Sequence, residues 1–129
     1  MLAQQHRMRA KAQFSATTRS GARSGRRNLV LYTHKNAQEP TIVGFIVSKA
    51  LGNAVQRNKT KRRLRQLTQP LLTQHPNGYR LVIRALPPAA SASYQDLERD
   101  LQAALKSCLK KLAENQPVAD SPASAREEP

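Results

Sequence analysis

The 129-residue chain has no tryptophan, two phenylalanines and three tyrosines. A core built from it must rest on Leu, Val, Ile and Ala rather than on aromatic bulk. Its single cysteine, Cys108, excludes an internal disulfide and a cysteine-based metal cluster. That usage fits a reducing, cytoplasmic setting. No apolar run approaches the ~18 residues of a membrane span. The N-terminus lacks the apolar stretch of a secretory signal. The length allows one domain with one modest core.

The scarcest residues are acids. Residues 1–95 hold 17 Lys and Arg against one acid, Glu39; residues 96–129 hold 5 basic and 7 acidic residues. The formal charge of +14 is therefore concentrated in the first three-quarters of the chain. Such a field repels itself in the compact state, and a polyanion relieves it. RNA, DNA and an anionic membrane surface are the partner classes this implies.

Two β-rich segments stand out, Leu29-Val-Leu-Tyr-Thr33 and Ile42-Val-Gly-Phe-Ile-Val-Ser48, with a third from Tyr79 to Ala85. His34 to Pro40 holds turn residues and is expected to connect the first two as a hairpin. Ser20 to Arg27 reads as loop, with a short extra strand near Arg23 to Arg27 as the alternative. A short helix is expected from about Ala10 to Thr18. A second should start at Ala54, where Asn53 and Gln56 have capping-box spacing, and should stop or kink at Pro70. Pro76-Asn77-Gly78 reads as a turn. Ser93 and Asp96 announce a last helix, with Leu97, Leu101, Ala104, Leu105, Cys108 and Leu112 at helical spacing. The expected fold is α+β, an α/β sandwich. Residues 1–113 would form the domain, and 114–129 a disordered acidic tail rich in Pro, Ala and Ser.

The chemistry concentrates in Arg57-Asn-Lys-Thr-Lys-Arg-Arg-Leu-Arg65. On a helix, Thr60, Leu64, Leu67 and Leu71 fall within a stripe of about 60°, which should meet the core. Arg57, Asn58, Lys61, Arg62 and Arg65 occupy the adjoining arc, with Lys59 and Arg63 on the far flank. A solvated helix face is the plain alternative. Against it, Arg57/Lys61, Lys61/Arg65 and Lys59/Arg63 are like-charge i,i+4 pairs, each destabilising by roughly 0.2–0.5 kcal/mol. The cluster also sits near a helix N-terminus, where the macrodipole disfavours cations. Bound phosphates would supply the missing negative charge.

The run Val47-Ser-Lys-Ala-Leu-Gly-Asn-Ala-Val-Gln-Arg-Asn-Lys-Thr-Lys-Arg-Arg-Leu-Arg65 resembles the signature of the bacterial ribonuclease P protein family. His6-Arg7-Met8-Arg9 is similar to that family's N-terminal His-Arg-Leu-Arg. Phe14 falls where its first helix carries a leader-contacting Phe, and Leu31-Tyr32-Thr33 matches its strand. The likeness covers about residues 6–112. Lys59 replaces the second Arg of the family's Arg-Asn-Arg, Ala50 stands where a second Lys is common, and Thr18 where some members place a second Phe.

The resemblance implies a small mixed sheet of about four strands packed with three helices, with a left-handed βαβ crossover. It implies a subunit that binds the catalytic RNA of ribonuclease P and the 5′ leader of precursor tRNA, one protein per RNA. The RNA and substrate would hold Mg²⁺ and carry the chemistry, so the protein by itself is expected to be inactive. RNA contacts are expected from Arg57, Asn58, Lys59, Lys61, Arg62, Arg63 and Arg65, with Lys49, Arg7 and Arg9. Phe14 and Tyr32 are expected to stack on the leader, although either could instead be a core residue. Arg80 and Arg84 put charge on one face of the third strand, either cleft or plain solvent.

The residues themselves show no catalytic, metal-binding or small-molecule constellation. His6, His34 and His75 are scattered. The rival readings are a ribosomal or other structural RNA-binding protein with the same charge, and a DNA-binding regulator, for which no helix-turn-helix is visible. A membrane-surface role would need a bulky apolar helix face that is missing.

Overall fold

The segments around Leu31 and Ile83 lie side by side in the middle of one sheet. The computed structural model describes Met8, Thr17 and residues 21–114. Its strands are β1 (Ala22–Gly25), β2 (Leu29–Pro40), β3 (Ile42–Ile46) and β4 (Asn77–Ala85), in the order β1-β2-β4-β3. β4 is antiparallel to β2 and parallel to β3. Two long helices complete the described fold, α1 (Ala54–Gln74) and α2 (Tyr94–Glu114), with short 3-10 turns at Lys49–Leu51 and Pro87–Ala90. The expected helix from about Ala10 to Thr18 lies outside the described residues except for Thr17, which is helical and fully buried. The acidic tail beyond Glu114 also lies outside them.

Strand alternation sorts the side chains into two faces. Leu29 and Leu31 on β2, Val43 on β3, and Leu81, Ile83 and Ala85 on β4 point into one core. The helices close that core with Leu64, Leu67, Leu71 and Leu72 from α1 and Leu97, Leu101, Ala104, Leu105 and Cys108 from α2. Helix α2 lies against β1 and β2. Its Cys108 thiol donates to the Leu31 carbonyl at 3.5 Å. Burial raises the thiol pKa above its ordinary value.

Three expectations need correction. The first is the hairpin between β2 and β3. The two strands are not neighbours, because β4 lies between them and bonds to both. His34 to Pro40 continues β2 as an irregular strand rather than a turn. The register shifts between Lys35 and Pro40, Ala37 takes φ 49°, and the Asn36 side-chain amide donates to the Pro40 carbonyl at 3.1 Å. The second is Ser20 to Arg27, where the loop reading gives way to its alternative of a short strand, β1 at Ala22–Gly25. Its short polar sequence pairs because β2 offers it an open edge. Gly21 leads into it, where a Cβ would stand 2.3 Å from the Thr33 carbonyl oxygen.

The third is the end of helix α1. It runs through Pro70 to Gln74. Pro70 is exposed and the carbonyl it strands belongs to exposed Gln66, where water can replace the lost bond. Stopping at Gln69 would strip Leu71 and Leu72, both buried, from the core. The other end forms as expected. Asn53 Oδ1 accepts from Gln56 N–H at 2.9 Å, and Gln56 Oε1 accepts from Asn53 N–H at 3.1 Å. Gly52, at φ 145°, takes an extended positive-φ backbone that other residues rarely adopt, just before this cap.

Candidate nucleic-acid interface

Chain continuity decides where the charge goes. Strand β3 ends at Ile46, and Lys49–Leu51 and the Asn53 cap follow at once. The cationic first half of α1 therefore stands beside the C-terminal ends of β3 and β4. Thr60, Leu64, Leu67 and Leu71 are buried as the helical stripe requires, joined by Thr68 and Leu72. The rest of the first three turns is polar. Six cations and no acid lie on α1.

These cations are not equivalent. Lys59 and Arg62 are exposed, as are Asn58 and, before the helix, Lys49. Lys61 and Arg65 are half-buried along their stems. Arg57 is half-buried, and its Nε–H is enclosed with no acceptor among the described residues. Arg63 differs from the expectation that it is wholly available to RNA: its Nη1 donates to the Ala92 carbonyl at 2.9 Å, tying α1 to the turn before α2. Arg7, Arg9 and Phe14 lie outside the described residues.

The sheet face opposite the core forms the second half of the site. Tyr32 lies on this face, half-buried, opposite Val82 on β4 and Arg23 on β1. The Arg23 guanidinium carbon sits 6.0 Å from the Tyr32 ring centroid, at the outer limit of a cation–π contact. Arg80 and Arg84 share the face, Arg84 level with Val30 and Ile46, Arg80 with His34 and Ile42. Both therefore lie on the same face of the sheet as Tyr32. Sequence reasoning missed Arg23 altogether, because its place beside Tyr32 depends on the β1–β2 pairing.

Among the described residues no three His, Cys, Asp or Glu side chains converge on a point. The face and the helix are cationic, and they do not fit a resident Mg²⁺ site. Among the same residues no helix is long and apolar enough to cross a membrane.

A cationic helix following a strand of a sheet that bears arginines and a tyrosine suits a structured RNA and a single strand. The comparisons agree. A family model described as Ribonuclease P matches residues 2–109. The chain belongs to the ribonuclease P protein family. The ribonuclease P protein component of Kocuria rhizophila is 51% identical over 113 residues, covering 88% of this chain and 100% of the relative. That of Pseudarthrobacter chlorophenolicus is 54% identical, covering 88% and 84%. The solved Staphylococcus aureus RNase P protein superposes with a TM-score of 0.70 at 30% identity, covering 79% of this chain and 94% of that one. The Thermotoga maritima RNase P protein shares the fold, with a TM-score of 0.69 at 22% identity, covering 78% and 96%.

Membership in the ribonuclease P family sets aside the ribosomal and DNA-binding alternatives. It makes this chain an RNA-binding subunit of the enzyme that matures tRNA 5′ ends. The matched span contains both the α1 cations and the Tyr32 face.

Proposed function

We propose that the exposed cations of α1, with Lys49, hold the catalytic RNA of ribonuclease P, and that the precursor's 5′ leader runs from the top of this helix across the Tyr32 face. What supports this is that α1 begins just past the end of β3, level with Arg84, and that Arg84 and Tyr32 share one sheet face. Stacking on Tyr32 is worth about 1–3 kcal/mol per base and tolerates any base, as leaders of many tRNAs require. Arg7 and Arg9 would add RNA contacts and Phe14 a leader contact, as the family resemblance implies.

In this reading the protein positions and the RNA cleaves. The RNA and substrate would hold Mg²⁺, which would supply the hydrolytic chemistry, and the chain's cations would lower the Mg²⁺ needed to bring two polyanions together. One protein serves one RNA in the cytoplasm, with no small-molecule substrate. Reconstitution with a cognate RNA subunit at low Mg²⁺ tests it. The pair should release the mature 5′ end and the leader, while the protein incubated with precursor tRNA and Mg²⁺ should release nothing. Specific cleavage by the protein without RNA would overturn the division of labour.

A further inference from the structure

Asn28 is only 5% exposed, yet one of its polar atoms is unused. Its main-chain N–H and its side-chain Nδ2 both donate to Asp100 Oδ2. Its Oδ1 has no partner among the described residues, and solvent still reaches it. Asp100 Oδ1 is in the same condition. Both residues line a cleft of about 420 Å³, with Arg27 from the turn between β1 and β2, Ser91, and Asp96 and Arg99 on α2. No short motif announces it, because Asn28 and Asp100 are 72 residues apart. No residue of α1 lines it, so it is separate from the cations proposed to hold the catalytic RNA. Asp96 pairs with Arg99 at 3.2 Å, whereas the exposed Arg27 has no carboxylate partner among the described residues. The cleft thus offers two neighbouring acceptors, one of them anionic, and a guanidinium without a counter-ion.

We propose that this cleft is a guanine-nucleotide site, taking its occupant as a ligand and not as a substrate of the cleavage. Two neighbouring acceptors call for two neighbouring donors. A guanidinium or an amine would supply them, but the chain's formal charge of +14 and the adjacent Arg27 and Arg99 disfavour a further cation. Among the neutral bases, guanine carries N1–H and the N2 amino group side by side on its Watson–Crick edge. Adenine, cytosine and uracil each have a single donor group on that edge. Asn28 Oδ1 accepts from N1–H, Asp100 Oδ1 accepts from the N2 amino group, and Arg27 holds the phosphate. The bonds between Asn28 and Asp100 fix the two acceptors before the ligand arrives, so little freedom is lost on binding. The volume falls within the roughly 300–1,000 Å³ of small-molecule sites. The same chemistry is carried by a free guanine nucleotide and by an unpaired guanosine of a precursor RNA.

The test measures equilibrium binding of guanosine, adenosine and xanthosine monophosphates to the full chain without RNA. Guanosine monophosphate should bind at least about tenfold more tightly than adenosine monophosphate, the discrimination that one paired base edge supplies. Arg27→Ala, a change at an exposed residue, should weaken guanosine monophosphate about tenfold and leave guanosine, which has no phosphate, unchanged. Asp100→Asn keeps an acceptor for Asn28 and puts an amide donor where the second oxygen was. Xanthine has a carbonyl in place of guanine's amino group, so this variant should prefer xanthosine monophosphate. If Asp100→Asn melts early, the Arg27→Ala comparison stands without it. Repeating the titration with precursor tRNA bound separates the two sources. A free-nucleotide site still takes guanosine monophosphate, and a site filled by the RNA's own guanosine excludes it. Equal affinities for the three nucleotides, no binding of guanosine monophosphate, or a folded Asp100→Asn chain that still prefers guanine overturns the proposal.

Discussion

One carboxylate oxygen of Asp100 accepts two hydrogen bonds from Asn28, from its main-chain N–H at 3.0 Å and its side-chain amide at 2.9 Å. The same Asn28 offers its carbonyl to Leu86 N–H at 2.9 Å. Helix α2, the start of β2 and the end of β4 are thus joined at one buried asparagine. Asp100→Ala leaves two donors of Asn28 without their acceptor and should lower stability by about 2–3 kcal/mol. Chemical denaturation would measure it. Affinity for the catalytic RNA, assayed well below the melting temperature, should not change, because the hydrogen bonds of Asp100 go to Asn28 and not to the cations of α1.

Arg62 and Arg63 are neighbours in sequence with different work. Arg62 is exposed and unpaired among the described residues, so Arg62→Ala should change stability by less than ~0.5 kcal/mol. It should weaken RNA binding and flatten the dependence of log K on log salt by about 0.7–0.9. Arg63→Ala removes the bond to Ala92 and should cost about 1–2 kcal/mol of stability, with a smaller effect on the salt slope. Paired melting curves and salt titrations separate the two. Equal behaviour of both variants would show that the Ala92 contact has no structural weight.

Gly21 approaches backbone that cannot move aside. A Cβ there would stand 2.3 Å from the Thr33 carbonyl oxygen and 2.9 Å from that of Thr17. Gly21→Ala should therefore cost about 1–3 kcal/mol or more and loosen β1 from β2. Faster amide exchange across the Ala22–Thr33 and Ser24–Leu31 pairs would report it.

Cys108 gives a pH signature. Burial raises its thiol pKa in the folded protein above the ordinary 9.0, so the unfolded chain loses its proton first as pH rises. The stability attached to the neutral thiol is complete below that ordinary value and declines above it. The stability difference between wild type and Cys108→Ala should shrink as pH is raised through this range. In native protein the buried thiol should react with alkylating reagents only as fast as the core opens.

What could be read from the residues divides by range. The stripe of Thr60, Leu64, Leu67 and Leu71, the Asn53–Gln56 cap and the apolar face of α2 are set by spacings of three or four residues, and each is found as expected. Strand existence was equally legible at Leu29 and Tyr79. Strand order was not, because β4 between β2 and β3 depends on pairing across some forty residues that no local pattern encodes. β1 is short and polar, so its residues leave loop and strand both open. Pro70 misled because burial of Leu71 and Leu72 outweighs one lost hydrogen bond. At the candidate site, the placing of the cations on a helix and of Tyr32 on a strand is legible in the sequence. Arg23 opposite Tyr32 and the bonds from Asn28 to Asp100 were invisible, since both join segments that only folding brings together.

The strand at the centre of the sheet is the last of the four to leave the ribosome. Until residues 77–85 are made, β2 and β3 have no shared partner, and the new chain carries their open edges beside a helix dense with positive charge. Completion of the sheet must therefore wait for nearly the whole domain. During that interval the nascent chain is both prone to aggregate and attractive to any nearby RNA. An early encounter with its cognate RNA would neutralise the charge while the sheet closes, coupling assembly of the ribonucleoprotein to folding of its protein.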